Sequence, residues 1–195
     1  MTDLFLPLGD GHTELTDEDR LGLIPTYIST RGELFEAEQA NIAQAMLRRR
    51  PSVHQLLDDK YLRDLHRAMF GDVWRWAGQY RSRETNIGSD PTEIGPATRV
   101  LVDDVRAWIA YETYELDELA VRYHHRLVAI HPFPNGNGRF SRIASDHLVA
   151  RLGGDPFTWG AGLSLGTERL RARYRAALQS ADDGDVTALV AFARE

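Results

Sequence analysis

Apolar residues recur at helical spacing along most of this chain. From Glu33 to Arg50, Phe35, Ile42 and Met46 fall near one face, acidic residues come early, and Arg48, Arg49 and Arg50 come last. That charge order complements the helix dipole, and Pro51 ends the run. Ser52 and Gln55 form a capping-box pattern, after which Leu57, Tyr61, Leu65 and Met69 follow in four-residue steps to Gly71. After Gly95-Pro96 the period returns with Leu101, Val105, Trp108 and Ile109, and Leu119, Tyr123, Leu127 and Ile130 mark a helix over 116–130. Phe140, Ala144, Leu148 and Leu152 continue to Gly153-Gly154, and shorter helices are predicted over 167–180 and 185–194. Only WRWAGQYRSRETNIGSDP breaks the rhythm. Its Gly78, Asn86, Gly88 and Pro91 punctuate a Trp-, Tyr- and Thr-bearing stretch that predicts a short hairpin or ordered loop. The fold class is all-α, with one short β-hairpin.

Composition narrows the classes. With 195 residues and 43% hydrophobic content, the chain suits one compact domain with a short N-terminal arm. No apolar run is long enough to cross a bilayer, and the start lacks a basic segment followed by an apolar one, so a cytoplasmic protein with no membrane association is expected. There is no cysteine, which excludes disulfides, thiolate metal sites and a cysteine nucleophile. A net charge of -6 disfavours direct nucleic-acid binding by the whole surface, so any phosphate site must be local.

The stretch from His131 to Arg142, HPFPNGNGRFSR, carries the chemistry. Pro132 and Pro134 keep the residues before them out of the right-handed helical region, ending the preceding helix near Ile130 and presenting His131 on a stiff ledge, with Phe133 turned inward as an anchor. Gly136, Asn137 and Gly138 open the next helix, where backbone N–H groups favour an anion. Arg139 and Arg142, three apart, can reach the same side. A titratable imidazole, an anion nest and two guanidinium groups suit phosphoryl or nucleotidyl transfer. A plain helix–helix turn is the competing account, with Asn135 or Asn137 as a cap and Arg142 paired to Asp146.

HPFPNGNGR followed by Arg142 resembles the signature of the Fic (Fido) family, and WRWAGQYR resembles the segment entering that family's target-docking flap. TRGELFEAEQANI and PFTWG are similar to the Fic-like group called mobile mystery protein B. The resemblance implies a Fic-like helical bundle with a hairpin flap: an arm and helix over 1–50, a core over 51–155, and C-terminal helices over 156–195 packed on the core. It implies transfer of AMP from ATP to a Ser, Thr or Tyr hydroxyl of a protein substrate. His131 would be the general base, with a pKa near working pH. The backbone of Gly136, Asn137 and Gly138, with the Asn137 side chain, would hold the α-phosphate, and Arg139 and Arg142 the outer phosphates. The flap residues Gly78, Gln79, Tyr80, Arg81, Thr85, Asn86 and Ile87 would dock the target by strand addition. Asn135 stands where the family carries an acid that holds Mg²⁺, so metal affinity should be weaker. Ser29 and Glu33 have the spacing of the family's inhibitory motif, although Thr30 to Glu33 is equally a capping box. The alternatives are a phosphotransferase or other nucleotidyl or phosphoryl transferase, and a weakly active nucleotide-binding half of a toxin–antitoxin-like pair with an antitoxin-like or regulatory partner.

Other candidates carry less. Adjacent His124 and His125 point in different directions and suit no shared metal, and one is expected to be buried and hydrogen-bonded. His54 and His66 lack any zinc-hydrolase spacing. Arg169, Arg171, Arg173 and Arg175 spread around a solvated helix, and Trp74 and Trp76 are expected in the core.

Overall fold

The computed structural model describes residues 20–48 and 51–195. Of the readings above, the beginning of the N-terminal arm and the arginines at 49 and 50 lie outside the described residues. Helices run α1 (Arg31–Met46), α2 (Val53–Leu56), α3 (Asp59–Phe70), α4 (Ile94–Ala110), α5 (Leu116–Ile130), α6 (Asn137–Arg151), α7 (Thr167–Asp182) and α8 (Thr187–Arg194), with a 3-10 turn, Pro91–Glu93, leading into α4. The expected all-α class holds. The hairpin does not: among the described residues the only strand-like pairing is the isolated bridge Leu23 to Trp74, and 78–90 is an irregular loop. Its main chain is instead fixed by contacts with the His131 ledge, which replace a cross-strand ladder.

Two local expectations need correction. The run from Ser52 to Gly71 is two helices, because Asp58 takes the Lys60 N–H with its side chain (2.7 Å) and starts α3 afresh, while Leu56 and Leu57 both enter the core. On α1 only Ile42 of the stripe Phe35, Ile42 and Met46 is buried: Phe35 is 57% exposed, and Glu38, Asn41 and Ala45 complete the buried face. Asn41 explains the rotation. It donates to the Ala68 carbonyl (3.0 Å) and to Asp72 (3.1 Å) and accepts the Asp72 N–H (2.9 Å), satisfying the end of α3.

The main core joins α3, α4, α5 and α6 through Leu62, Met69, Leu101, Val105, Tyr123, Leu127, Phe140 and Leu148. A second cluster packs α7 and α8 onto the back of α5 and α6, with Ala120, Val121, Val149, Ala181 and Leu189. The small alanines let these helices approach closely. Trp74 is buried and stacked on half-buried Trp76 (4.9 Å), so both serve packing. The loop between α5 and α6 is thereby held at one end of a rigid bundle.

Candidate functional site

The ledge begins with His131 as the C-terminal cap of α5. Its N–H donates to the Leu127 carbonyl (3.1 Å), and its backbone is left-handed (φ 51°, ψ 59°) rather than extended. Pro132 forbids the right-handed region, and the cap bond selects the left-handed one. The imidazole is 6% exposed, lying under the end of the flap: a Cβ on Gly88 would stand 2.7 Å from His131 Cβ. Burial pushes its pKa down to about 4, Arg81 adds to the depression, and a hydrogen bond to the Val128 main chain opposes it. The ring is therefore a neutral base at neutral pH, below the near-neutral pKa expected from sequence.

Phe133 is fully buried, T-shaped against Phe140 (5.0 Å). The Asn137 side chain curls the loop, accepting the Phe133 N–H (2.9 Å) and donating to the Phe133 carbonyl (2.7 Å). That amide is committed to the loop, so only the Asn137 backbone is offered to an anion. Gly136 precedes α6 at φ 81°, and a Cβ there would strike the Phe70 ring at 2.7 Å, so no other residue fits. The first turn of α6, from Asn137, directs main-chain N–H groups out of its N-terminal end.

The two signature arginines are braced from opposite sides. Arg139 pairs with Glu38 of α1 (2.7 Å) and lies over Phe70, while Glu38 also accepts the Trp74 indole N–H (2.7 Å). Arg142 lies over the Tyr174 ring (4.4 Å) and near Trp159 (5.9 Å), so α7 supports it. Asp146, the alternative partner of Arg142, accepts the Phe157 N–H and the Trp159 indole N–H, each at 3.1 Å, and burial holds its carboxyl above the usual range. Glu33 accepts from the Ser29 N–H (2.8 Å), the Thr30 N–H (2.9 Å) and the Ser29 hydroxyl (3.1 Å), which pull its carboxyl below the usual range. It caps α1, and the carboxylate that meets a signature arginine is Glu38.

Asn135 Oδ1 accepts the Gly136 N–H (2.6 Å). An uncharged oxygen already sharing its density with the loop is a poor anchor for a hard dication, and no cluster of three or more His, Asp or Glu able to hold a metal occurs among the described residues. The residues do not fit a protein-held Mg²⁺; an ion arriving with ATP belongs to the substrate.

In the flap, Arg81 is buried rather than offered to a partner. Its guanidinium donates to the carbonyls of His131 (2.7 Å), Arg83 (2.8 Å) and Ser89, and its own N–H donates to the Pro132 carbonyl (3.0 Å). Tyr80 donates to Asp59, and Thr85 donates to the Ile87 carbonyl (2.6 Å). Gln79, Asn86 and Ile87 are exposed, and Gln79 lines a cavity of 310 Å³ together with Arg75, Trp76, Tyr80, Arg83 and Pro134. His124 is buried against Tyr174 (2.9 Å) and His125 meets Asp182 (2.7 Å), so neither joins the site. His66 does join it. Its sequence signal was a polar residue on the buried face of α3, four from Leu62 and four from Phe70.

This is a helical domain in which a buried histidine and a helix N-terminus flank one tightly turned loop. Residues 56–149 match the model of the Fic/DOC family, and that part of the chain belongs to it. The chain is 30% identical over 138 residues to protein adenylyltransferase Fic of Culex quinquefasciatus, and 28% identical over 137 residues to that of Drosophila melanogaster. Each match covers 68% of this chain and 26% of the relative, so the chain spans about a quarter of those proteins' length. Among solved structures, BepC of Bartonella tribocorum with bound AMPPNP superposes with a TM-score of 0.66 at 16% identity, covering 92% of this chain and 97% of that one. Fic-1 of C. elegans gives 0.64 at 22% identity, covering 88% and 50%. At these identities the structures share the fold.

Proposed function

We propose that this protein transfers AMP from ATP to a hydroxyl of a target protein. Relatives named protein adenylyltransferase motivate the reaction class, and the fold neighbour carrying AMPPNP motivates the nucleotide. The carrying observation is a neutral buried imidazole on a main chain clamped by Arg81, joined through a cross-braced loop to the N-terminus of α6. In the reaction, His131 takes the proton of the target hydroxyl. The freed oxygen bonds to the α-phosphorus, and the bond from that phosphorus to the β-phosphate bridging oxygen breaks, releasing pyrophosphate. Main-chain N–H groups of Asn137 and Gly138 stabilise charge on the α-phosphate, and Arg139 and Arg142 take the outer phosphates. The outward edge of 79–87 receives the target main chain.

Glu38 holds Arg139 through one guanidinium nitrogen and offsets its charge, so the restraint anticipated at Glu33 belongs in this reading to Glu38. ATP labelled at the α- or γ-phosphate tests the reaction. α-Label on protein is expected; γ-label alone would replace the reading with a kinase, and bound nucleotide without any label would reduce it to a binding protein. His131→Ala should lower α-label transfer by about a hundredfold or more while ATP binding, read by calorimetry, stays nearly unchanged.

A further inference from the structure

We infer that His66 is a positioning residue that fixes the anion loop and the root of the flap in one frame; this rests on the transferase reading above. The ring is fully buried on α3 and stacked on Phe133 (3.8 Å), with Phe70 (4.8 Å) and Phe140 (5.9 Å) around it. Both nitrogens are used. The Gly78 N–H donates to Nδ1 (3.0 Å), and Nε2 faces the Asn135 carbonyl (3.0 Å). Only one protonation state serves both partners: Nδ1 must carry a lone pair, so the proton sits on Nε2 and donates to Asn135. A charged imidazolium would set two N–H groups against each other at Gly78.

The location gives this bond pair its consequence. Asn135 leads into Gly136 and the N-terminus of α6, so the direction of its carbonyl fixes the peptide plane from which the anion nest starts. Gly78 opens the flap, which three residues later places Arg81 on the His131 carbonyl. His131, Arg81, Gly78, His66 and Asn135 thus form a closed circuit, completed by the covalent run from His131 to Asn135. α3 mounts the whole assembly: Asp59 accepts the Tyr80 hydroxyl, and Phe70 backs Gly136. The two ring nitrogens are a rigid spacing element, so the target edge and the α-phosphate seat are set by one five-membered ring. A core histidine with no role beyond packing would not need donor and acceptor on these two segments.

His66→Phe keeps the stacked ring and removes both bonds, whereas His66→Gln restores a neighbouring donor and acceptor. In His66→Phe, kcat for α-label transfer should fall by about a hundredfold, the cost of an ångström-scale misalignment, while the Kd for ATP changes by less than about fivefold. His66→Gln should recover most of kcat. Unchanged kcat in folded His66→Phe, or equal losses in the two variants, would overturn the inference, because a packing role alters melting temperature without that split. Amide exchange reads the geometry without activity: the Gly78 amide should exchange at least about tenfold faster in His66→Phe, and unchanged protection counts against the proposal. If wild type labels nothing yet His66→Phe shows that faster exchange, the reaction assignment fails and the positioning role stands. Nitrogen NMR of wild type should find His66 neutral with its proton on Nε2 down to about pH 5. A proton on Nδ1 there would overturn the inference whether or not either variant folds.

Discussion

Single atoms decide how this loop can act. Glu38 is the clearest case, since one carboxylate accepts the Trp74 indole and holds Arg139. Glu38→Gln keeps an acceptor for Trp74 and removes the charge, so Arg139 becomes available to phosphate. ATP should bind about fivefold more tightly, equivalent to about 1 kcal/mol, in calorimetry on the folded variant; unchanged affinity would mean that Arg139 does not meet the nucleotide. Asn135 poses the complementary question. Its Oδ1 already accepts the Gly136 N–H, so Asn135→Asp retains the loop bond and adds the missing charge. The Mg²⁺ concentration giving half-maximal labelling should fall about tenfold. His131 and Phe133 were legible as base candidate and anchor because proline restricts its predecessor by local sterics. Glu38 was not, because its role needs Trp74 and Arg139, far away in sequence.

At the level of elements, the flap shows why a turn-rich segment need not be a hairpin. Gly78, Asn86, Gly88 and Pro91 signalled punctuation correctly, but the hydrogen bonds that the segment needs go to the His131 ledge through Arg81 and Ser89. Arg81→Lys keeps the charge and cannot reach the carbonyls of His131, Arg83 and Ser89 together. The loss should be about 2 kcal/mol or more in urea unfolding, with faster proteolytic cutting between 78 and 90. An unchanged midpoint and cutting rate would show that the flap is held elsewhere. The same principle governs α1. Its apolar period suggested Phe35 and Met46 as inward, yet Glu38 and Asn41 took the buried side because each satisfies groups that the core would otherwise strand.

At the scale of the molecule, the three histidines that are buried among the described residues set the acid limit. Burial holds His66 and His124 down at about 3 and His131 at about 4, all below the ordinary value near 6.5. The unfolded chain therefore takes protons first as pH falls, so the stability these groups contribute is present above about pH 6.5 and is lost progressively as pH drops toward their folded values. Urea midpoints should decline from pH 7 to pH 4.5, and replacing His124 by Gln should flatten that decline; a midpoint independent of pH would contradict the buried neutral state. The sequence by itself determined the helical class, most of the breaks at proline and glycine, and the anchor Phe133, because each follows from sterics or periodicity within a few residues. Tertiary structure alone decided that Glu38 meets Arg139, that α7 backs Arg142 and that His66 ties loop to flap. Those pairings join residues tens of positions apart, where only the packed core chooses which polar groups lose water together.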